Sequence, residues 1–287
     1  MKTFFVGAIL AGLMVFRAAA QVSVVLALDQ EQFLPSESIP LAVKITNRSG
    51  QQLHFGADPS WLTFSVESVD GLVVKTLAEV PVVGAFDLES SQEATKHVNL
   101  QPYFSVERGG RYKVTATLRI KEWSKAVNGG PKFFDIVNGA ILWAQDFGVP
   151  TTSGVPEVRK YTLEQANYLR SQLRLYVRLS DVTDSHVFKV SALGQMVAFG
   201  HPECQVDRES QLHVLWQAGS QVFNYCLVHP DGSVSGQEAY DYFGTRPRLS
   251  VDENGGVMVQ GGVRRVKASE FPNVKAPNAL PNMPVKP

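Results

Sequence analysis

Hydropathy along this chain alternates with a period of two, and no other feature constrains the fold as strongly. Ile39, Leu41, Val43 and Ile45 share one face of a segment whose other face carries Lys44 and Thr46. Leu62, Phe64 and Val66 alternate with Thr63, Ser65 and Glu67. Tyr112, Val114, Ala116, Leu118 and Ile120 alternate with Lys113, Thr115, Thr117 and Arg119. Successive side chains of a strand point to opposite faces, so such stretches read as strands with one face on a core and the other in water. Turn-forming clusters separate them: Arg48-Ser49-Gly50, Ala57-Asp58-Pro59-Ser60, Asp70-Gly71 and Arg108-Gly109-Gly110. Long helical periodicity is absent. The expected fold class is all-β, built from short antiparallel strands.

Gly110-Arg111-Tyr112-Lys113-Val114 carries the first resemblance. A glycine, a tyrosine two residues on and a core residue two further resemble the sixth-strand entry of immunoglobulin-like sandwiches. There the tyrosine hydroxyl bonds back to the corner backbone. Residues 21–150 therefore resemble a bacterial immunoglobulin-like or fibronectin-type-III-like module, with Phe133 to Phe147 expected to supply its last strand. The family's cysteine pair is missing: Val114 stands where the second cysteine would be. Architecture of this kind does not fix function.

Residues 151–156, Thr-Thr-Ser-Gly-Val-Pro, have the composition of a linker. A second β region follows over residues 157–268 and contains an internal repeat. Pro202 to Asp207 followed by Leu212-His213-Val214 matches, without a gap, Pro247 to Asp252 followed by Val257-Met258-Val259. The period resembles that of a four-stranded propeller blade. Asp207 and Asp252 are expected to cap the turns. Too few copies are present to close a ring, so the expectation is a second antiparallel domain of propeller-blade-like hairpins. The strand from Leu212 to Trp216 and the ending Gly261 to Arg265 resemble exported proteins of environmental bacteria. Within this region, Val158 to Leu163 is expected to pair as a hairpin with Leu173 to Leu179, against a competing short-helix reading from Thr162 and Gln165.

Residues 1–20 read as an export signal: Lys2, an uncharged stretch from Phe4 to Phe16, then Ala18-Ala19-Ala20. The stretch is shorter than the roughly 20 residues of a membrane-spanning helix. The expected product is periplasmic, cell-surface or extracellular, with no transmembrane segment after cleavage. Basic and acidic residues number 27 each, and without Lys2 and Arg17 the balance is 25 to 27. A near-neutral chain is a poor match for nucleic acid, which recruits concentrated basic surface. Residues 269–287 are rich in proline and are expected to be a disordered tail.

No spacing in the chain identifies a reaction, and no catalytic residue, cofactor or metal is assigned. A Gly-x-Ser-x-Gly elbow, a His-Glu-x-x-His pair and a phosphate-cradling glycine loop are all absent. His201, Cys204, His213, Cys226 and His229 crowd together, but ordinary strand and turn residues are the preferred reading, with His213 pointing outward. Cys204 and Cys226 are candidates for a disulfide in an oxidising compartment. Their expected places on the first and third strands of a meander, about 9.6 Å apart, speak against it, since bridging needs Cα atoms within about 7 Å. Trp216, Tyr240, Tyr242, Arg246 and Arg248 form a candidate face for a glycan or protein ligand, because exposed aromatics beside arginine suit both. Two functions follow as expectations: an exported non-catalytic β protein for binding, adhesion or envelope structure, or a secreted, glycan-directed hydrolase whose carboxylates converge only in three dimensions.

Overall fold

The computed structural model describes residues 21–149, 157–169 and 171–266. The expected leader, linker and tail lie outside the described residues. Everything described is strand, turn or loop apart from two single 3-10 turns, Gln101–Tyr103 and Lys121–Trp123. The fold is all-β, as the alternation requires. Among the described residues no helix is long and apolar enough to cross a membrane.

The strands in chain order begin with β1 (Val22–Leu28), β2 (Gln32–Phe33), β3 (Pro40–Asn47), β4 (Leu53–Phe55) and β5 (Leu62–Ser68). Next come β6 (Phe86–Leu88), β7 (Glu93–Asn99), β8 (Gly110–Ile120), β9 (Lys125–Ile136) and β10 (Ala140–Val149). The remainder are β11 (Glu157–Leu169), β12 (Gln172–Asp181), β13 (Val187–Gln195), β14 (Glu203–Val206), β15 (Leu212–Gln217), β16 (Val222–Val228), β17 (Val234–Asp241), β18 (Arg248–Val251), β19 (Val257–Gln260) and β20 (Val263–Arg264). Contacts group them into two compact units, one of residues up to Glu31 with Ser38–Asp135, the other of Gln32–Glu37 with Ile136 onward.

In the first unit β1, β3 and β7 form an antiparallel sheet, and β5 pairs with β8 in a second. The alternation predicted the buried faces: Leu41, Val43 and Ile45 of β3, and Val114, Ala116 and Leu118 of β8, are fully buried. The layers meet closely where Gly129 of β9 faces Val24 of β1: a Cβ at Gly129 would lie 2.8 Å from Val24 Cγ1. Tyr112 is buried, and its hydroxyl donates to the Arg108 carbonyl at 2.7 Å.

The second unit places the sheet β10-β11-β12-β13 against β14-β15-β16-β17-β20. Tyr161, Leu163, Leu175 and Val177 from one sheet and Leu212, Val214, Trp216 and Val228 from the other form one core. The expected pairing of Val158–Leu163 with Leu173–Leu179 is present, with Leu163 opposite Val177, and β11 continues as a strand to Leu169 in place of the competing helix. The outer face of that sheet is also covered. Leu34 packs there with Ala166, Tyr176 and Val190, so Glu164 lies buried and pairs with Arg178 on the neighbouring strand. A buried carboxylate must be paired to be tolerated, and Arg178 supplies the charge.

Two expectations need correction. Phe133 to Phe147 is not one strand: the chain breaks after Ile136, and β10 pairs with β11 from Ala140 to Val149. Phe147 stacks on Tyr161 at 4.0 Å inside the second core. The break also fits the space available, since a Cβ at Gly139 would lie 2.7 Å from Glu164 Oε2. The second unit therefore begins well before the expected linker and also recruits Gln32–Glu37, where Val137 N donates to the Phe33 carbonyl. A short segment far upstream that covers a sheet leaves no signal in local periodicity.

Candidate functional site

The first unit opens a pocket of about 490 Å³ between β4, the turn after it, the end of β8 and the start of β9. Local pattern sets its walls. Leu53 and Phe55 are buried, so His54 between them must point the other way, into the pocket. Strand β4 pairs with β6, which puts Asp87 directly across from His54. The carboxylate Oδ1 of Asp87 is 2.5 Å from His54 Nδ1. That hydrogen bond, followed by the charge of Asp87, raises the imidazole pKa above its ordinary value.

Gly56 begins the turn at φ +82°, and a Cβ there would lie 2.3 Å from the Gly84 carbonyl oxygen, so only glycine fits. Asp58 then accepts from Ser60 N at 2.8 Å and Ser60 Oγ at 3.0 Å. These bonds, led by the backbone one, hold its pKa below the usual carboxylate range. Trp61 closes the floor. It is buried, donates its indole N–H to the Val82 carbonyl at 2.9 Å, and packs with Phe55 and Phe86 at centroid distances of 5.6 and 5.7 Å. An anchored aromatic floor gives the pocket a fixed shape.

The rim is cationic. Arg119, Lys121 and Lys125 line it, and Arg119 Nη1 donates to Ser60 Oγ at 3.3 Å. Ser124 turns the chain between the two lysines at φ +48°, with its N–H bonded to the Lys121 carbonyl. Asp58 lines this wall, and beside it Glu122 Oε1 accepts from His54 N at 2.9 Å. Chemically the arrangement suits a ligand carrying negative charge: Arg119, Lys121, Lys125 and an imidazole whose pKa is raised line one open pocket. None of these side chains was assigned to a site from sequence: Asp58 figured only in a turn-forming cluster and Arg119 only on the outward face of a strand. They come from separated stretches, residues 54–61 and 119–126 with Asp87 behind, and only the outward position of His54 between two core residues hinted at a site.

The sequence-selected residues fall elsewhere, in the second unit. Cys204 and Cys226 are free, and both sit opposite Val214, on β14 and β16 to either side of β15. The disulfide candidate is thus corrected: an intervening strand separates the two thiols, and burial pushes both pKa values up to about 12. His213 does not point into water. It is buried on the outer face of its sheet, with Nδ1 2.8 Å from Tyr225 Oη and Nε2 3.2 Å from Asp207 Oδ2. His229 Nε2 lies 2.7 Å from Ser235 Oγ. Among the described residues no group of three or more His, Cys, Asp or Glu side chains converges as a metal site requires.

The candidate ligand face is only partly assembled. Trp216 is 2% exposed and donates to the Gln195 carbonyl at 2.9 Å, so it belongs to the core and not to a surface. Tyr240 is half-buried and donates to Glu238 Oε2 at 2.6 Å. Tyr242, Arg246 and Arg248 are exposed, with the Arg246 guanidinium 5.2 Å from the Phe223 ring centroid.

No protein-family model matches the chain, and no curated protein matches it. Among solved structures, the crystal structure of Spo0M, a sporulation control protein from Bacillus subtilis, is similar at 11% identity and a TM-score of 0.29, covering 55% of this chain and 79% of that one. At that score the likeness carries no argument about activity.

Proposed function

We propose that the protein is an exported, non-catalytic binding protein whose first unit takes a small anionic ligand, a carboxylate, sulfate or phosphate compound, in the pocket beside His54. The observation that carries this reading is the set of cations along the wall, Arg119, Lys121, Lys125 and His54, whose neighbouring carboxylates are already engaged: Asp58 by Ser60, Asp87 by the imidazole and Glu122 by the His54 N–H. The volume supports it, since small-molecule pockets run to roughly 300–1,000 Å³. The glycine-enforced turn and the bonded indole of Trp61 support a pre-formed site that loses little entropy on binding.

The finer architecture belongs to the same proposal. An immunoglobulin-like first unit is supported by the sheet β1-β3-β7, the pairing of β5 with β8 in the other layer, and the Tyr112 hydroxyl bonded to the corner carbonyl of Arg108. A propeller-blade-like second unit is supported by the matched hairpins at Asp207 and Asp252. Export is supported by the leader-like residues 1–20.

The test is thermal unfolding of the chain starting at Gln21, which retains every described residue, in sulfate or phosphate against chloride at matched ionic strength. At a concentration near 100 times the dissociation constant, the midpoint is expected to rise by roughly 5–10 °C. Lys121→Gln with Lys125→Gln should remove the rise while leaving the chloride midpoint unchanged. No rise with either anion, or an equal rise in the double variant, would overturn the reading.

A further inference from the structure

The loops at the two ends of the second unit's sheets differ in composition. At one end lie the turns that follow β12, β14, β16 and β18. Each presents an aspartate whose carboxylate accepts a backbone N–H: Asp181 from Ser185, Asp207 from Gln211, Asp231 from Ser233 and Asp252 from Gly256. The turns after β14 and β18 meet, since a Cβ at Gly255 would fall 2.8 Å from Arg208 Nε, and cations also lie at this end: Lys160 pairs with Asp184, and Arg159 Nη1 donates to the Pro230 carbonyl at 2.9 Å.

The opposite end has a different chemistry. Its loops are residues 196–202, 217–222 and 242–248, and they are tied to one another by backbone bonds. Val197 N donates to the Gln217 carbonyl at 3.0 Å, and Tyr242 N to the Gln221 carbonyl at 2.8 Å. The last carries Arg246 and Arg248, and the carboxylates that flank the loops, Glu203 and Asp241, are bonded to Leu249 N and to Arg265. Large aromatic side chains stand out from them into water: Phe199 is 78% exposed, Phe243 81% and Tyr242 44%. Core formation explains none of these, because the Val214 and Trp216 face of β15 is already filled from the other sheet.

We infer that this end docks on an anionic phospholipid surface, with Phe199 and Phe243 entering the interfacial layer and Arg246 and Arg248 facing lipid phosphates. Aromatic rings at loop tips gain by moving into the headgroup region, and arginine is drawn to the negative potential of such a surface. Charge complementarity selects this occupant: Arg246 and Arg248 lie among the exposed rings, while the carboxylates flanking these loops are already engaged, Asp241 by Arg265 and Glu203 by the Leu249 N–H. The inference is independent of the pocket in the first unit. It also revises the candidate ligand face, keeping Tyr242, Arg246 and Arg248, dropping Trp216, and adding Phe199 and Phe243.

The experiment is co-sedimentation of the chain starting at Gln21 with vesicles of phosphatidylglycerol and phosphatidylcholine in equal parts, and with vesicles of phosphatidylcholine alone. The chain should pellet with the anionic vesicles and remain in solution with the neutral ones. Arg246→Gln with Arg248→Gln should lower partitioning by about 25-fold, near fivefold per arginine. Phe199→Ser with Phe243→Ser should lower it comparably, with both variants keeping the parent's circular dichroism spectrum. Should the arginine pair disturb packing over Phe223, Arg248→Gln alone supplies the charge test, with about a fivefold loss expected. The inference fails if the chain ignores anionic vesicles, if it binds both vesicle types equally, or if the variants bind as tightly as the parent.

Discussion

His54 shows how much one side chain inherits from its neighbours in sequence and across the sheet. Leu53 and Phe55 anchor β4 and aim the imidazole outward, and the pairing of β4 with β6 brings Asp87 to it. A hydrogen bond that raises the pKa favours the imidazolium in the folded chain. The sign follows from that direction. Any contribution of the charged form, to stability or to anion binding, is fully present below the unfolded value near 6.5 and is lost as pH rises through the higher folded value. Sulfate keeps its charge over this range, so its affinity should fall between pH 6 and pH 9 by up to about fivefold, the scale of an exposed charge contact. His54→Asn should flatten the profile. A sulfate titration calorimetry series with the same slope in parent and variant would remove His54 from the site.

At the scale of elements, the hairpins at Asp207 and Asp252 are one solution reached twice. In both, the aspartate N–H donates four residues on, to Gln211 and to Gly256, and Oδ1 accepts from two backbone N–H groups. In both, the residue three beyond the aspartate has positive φ, Ser210 at 62° and Gly255 at 82°. The pattern is that of a turn closed by a left-handed residue. Asp252→Ala should cost about 1–2 kcal/mol for the two lost acceptor bonds. Asp207→Ala should cost more, by about 1–3 kcal/mol, because it also strips a partner from the buried His213. Urea unfolding that ranks the two variants equally, or in reverse, would refute the assignment.

These hairpins were readable beforehand because each is encoded within a dozen residues, by proline, aspartate and an apolar pair. The alternating strands β3, β5 and β8 were readable for the same reason. His213 and Trp216 were misread because alternation tells which face a side chain takes, and not what lies over that face. Tyr225 and Asp207 close on His213, and the opposite sheet closes on Trp216. The pocket was out of reach for a related reason: His54, Asp58, Arg119 and Lys125 meet only once β4, β8 and β9 have found their places.

For the whole molecule, equal numbers of basic and acidic residues mean that net charge steers nothing. Selectivity must come from where charges are placed. At 0.1 M salt the field of an exposed charge fades over about 10 Å, so a bound anion or membrane reads the local arrangement. The cationic rim beside His54 and the arginine-bearing loops of the second unit are two such arrangements, built on different strands and serving ligands of different size. Their losses should therefore be separable. Lys121→Gln with Lys125→Gln should abolish the sulfate-induced rise in melting temperature and leave vesicle partitioning within about twofold of the parent. Phe199→Ser with Phe243→Ser should do the opposite. The decisive comparison measures both variants in both assays at one ionic strength. If either variant loses both activities, the binding reflects general attraction of cations to anions across the surface, and neither site has been built for its ligand.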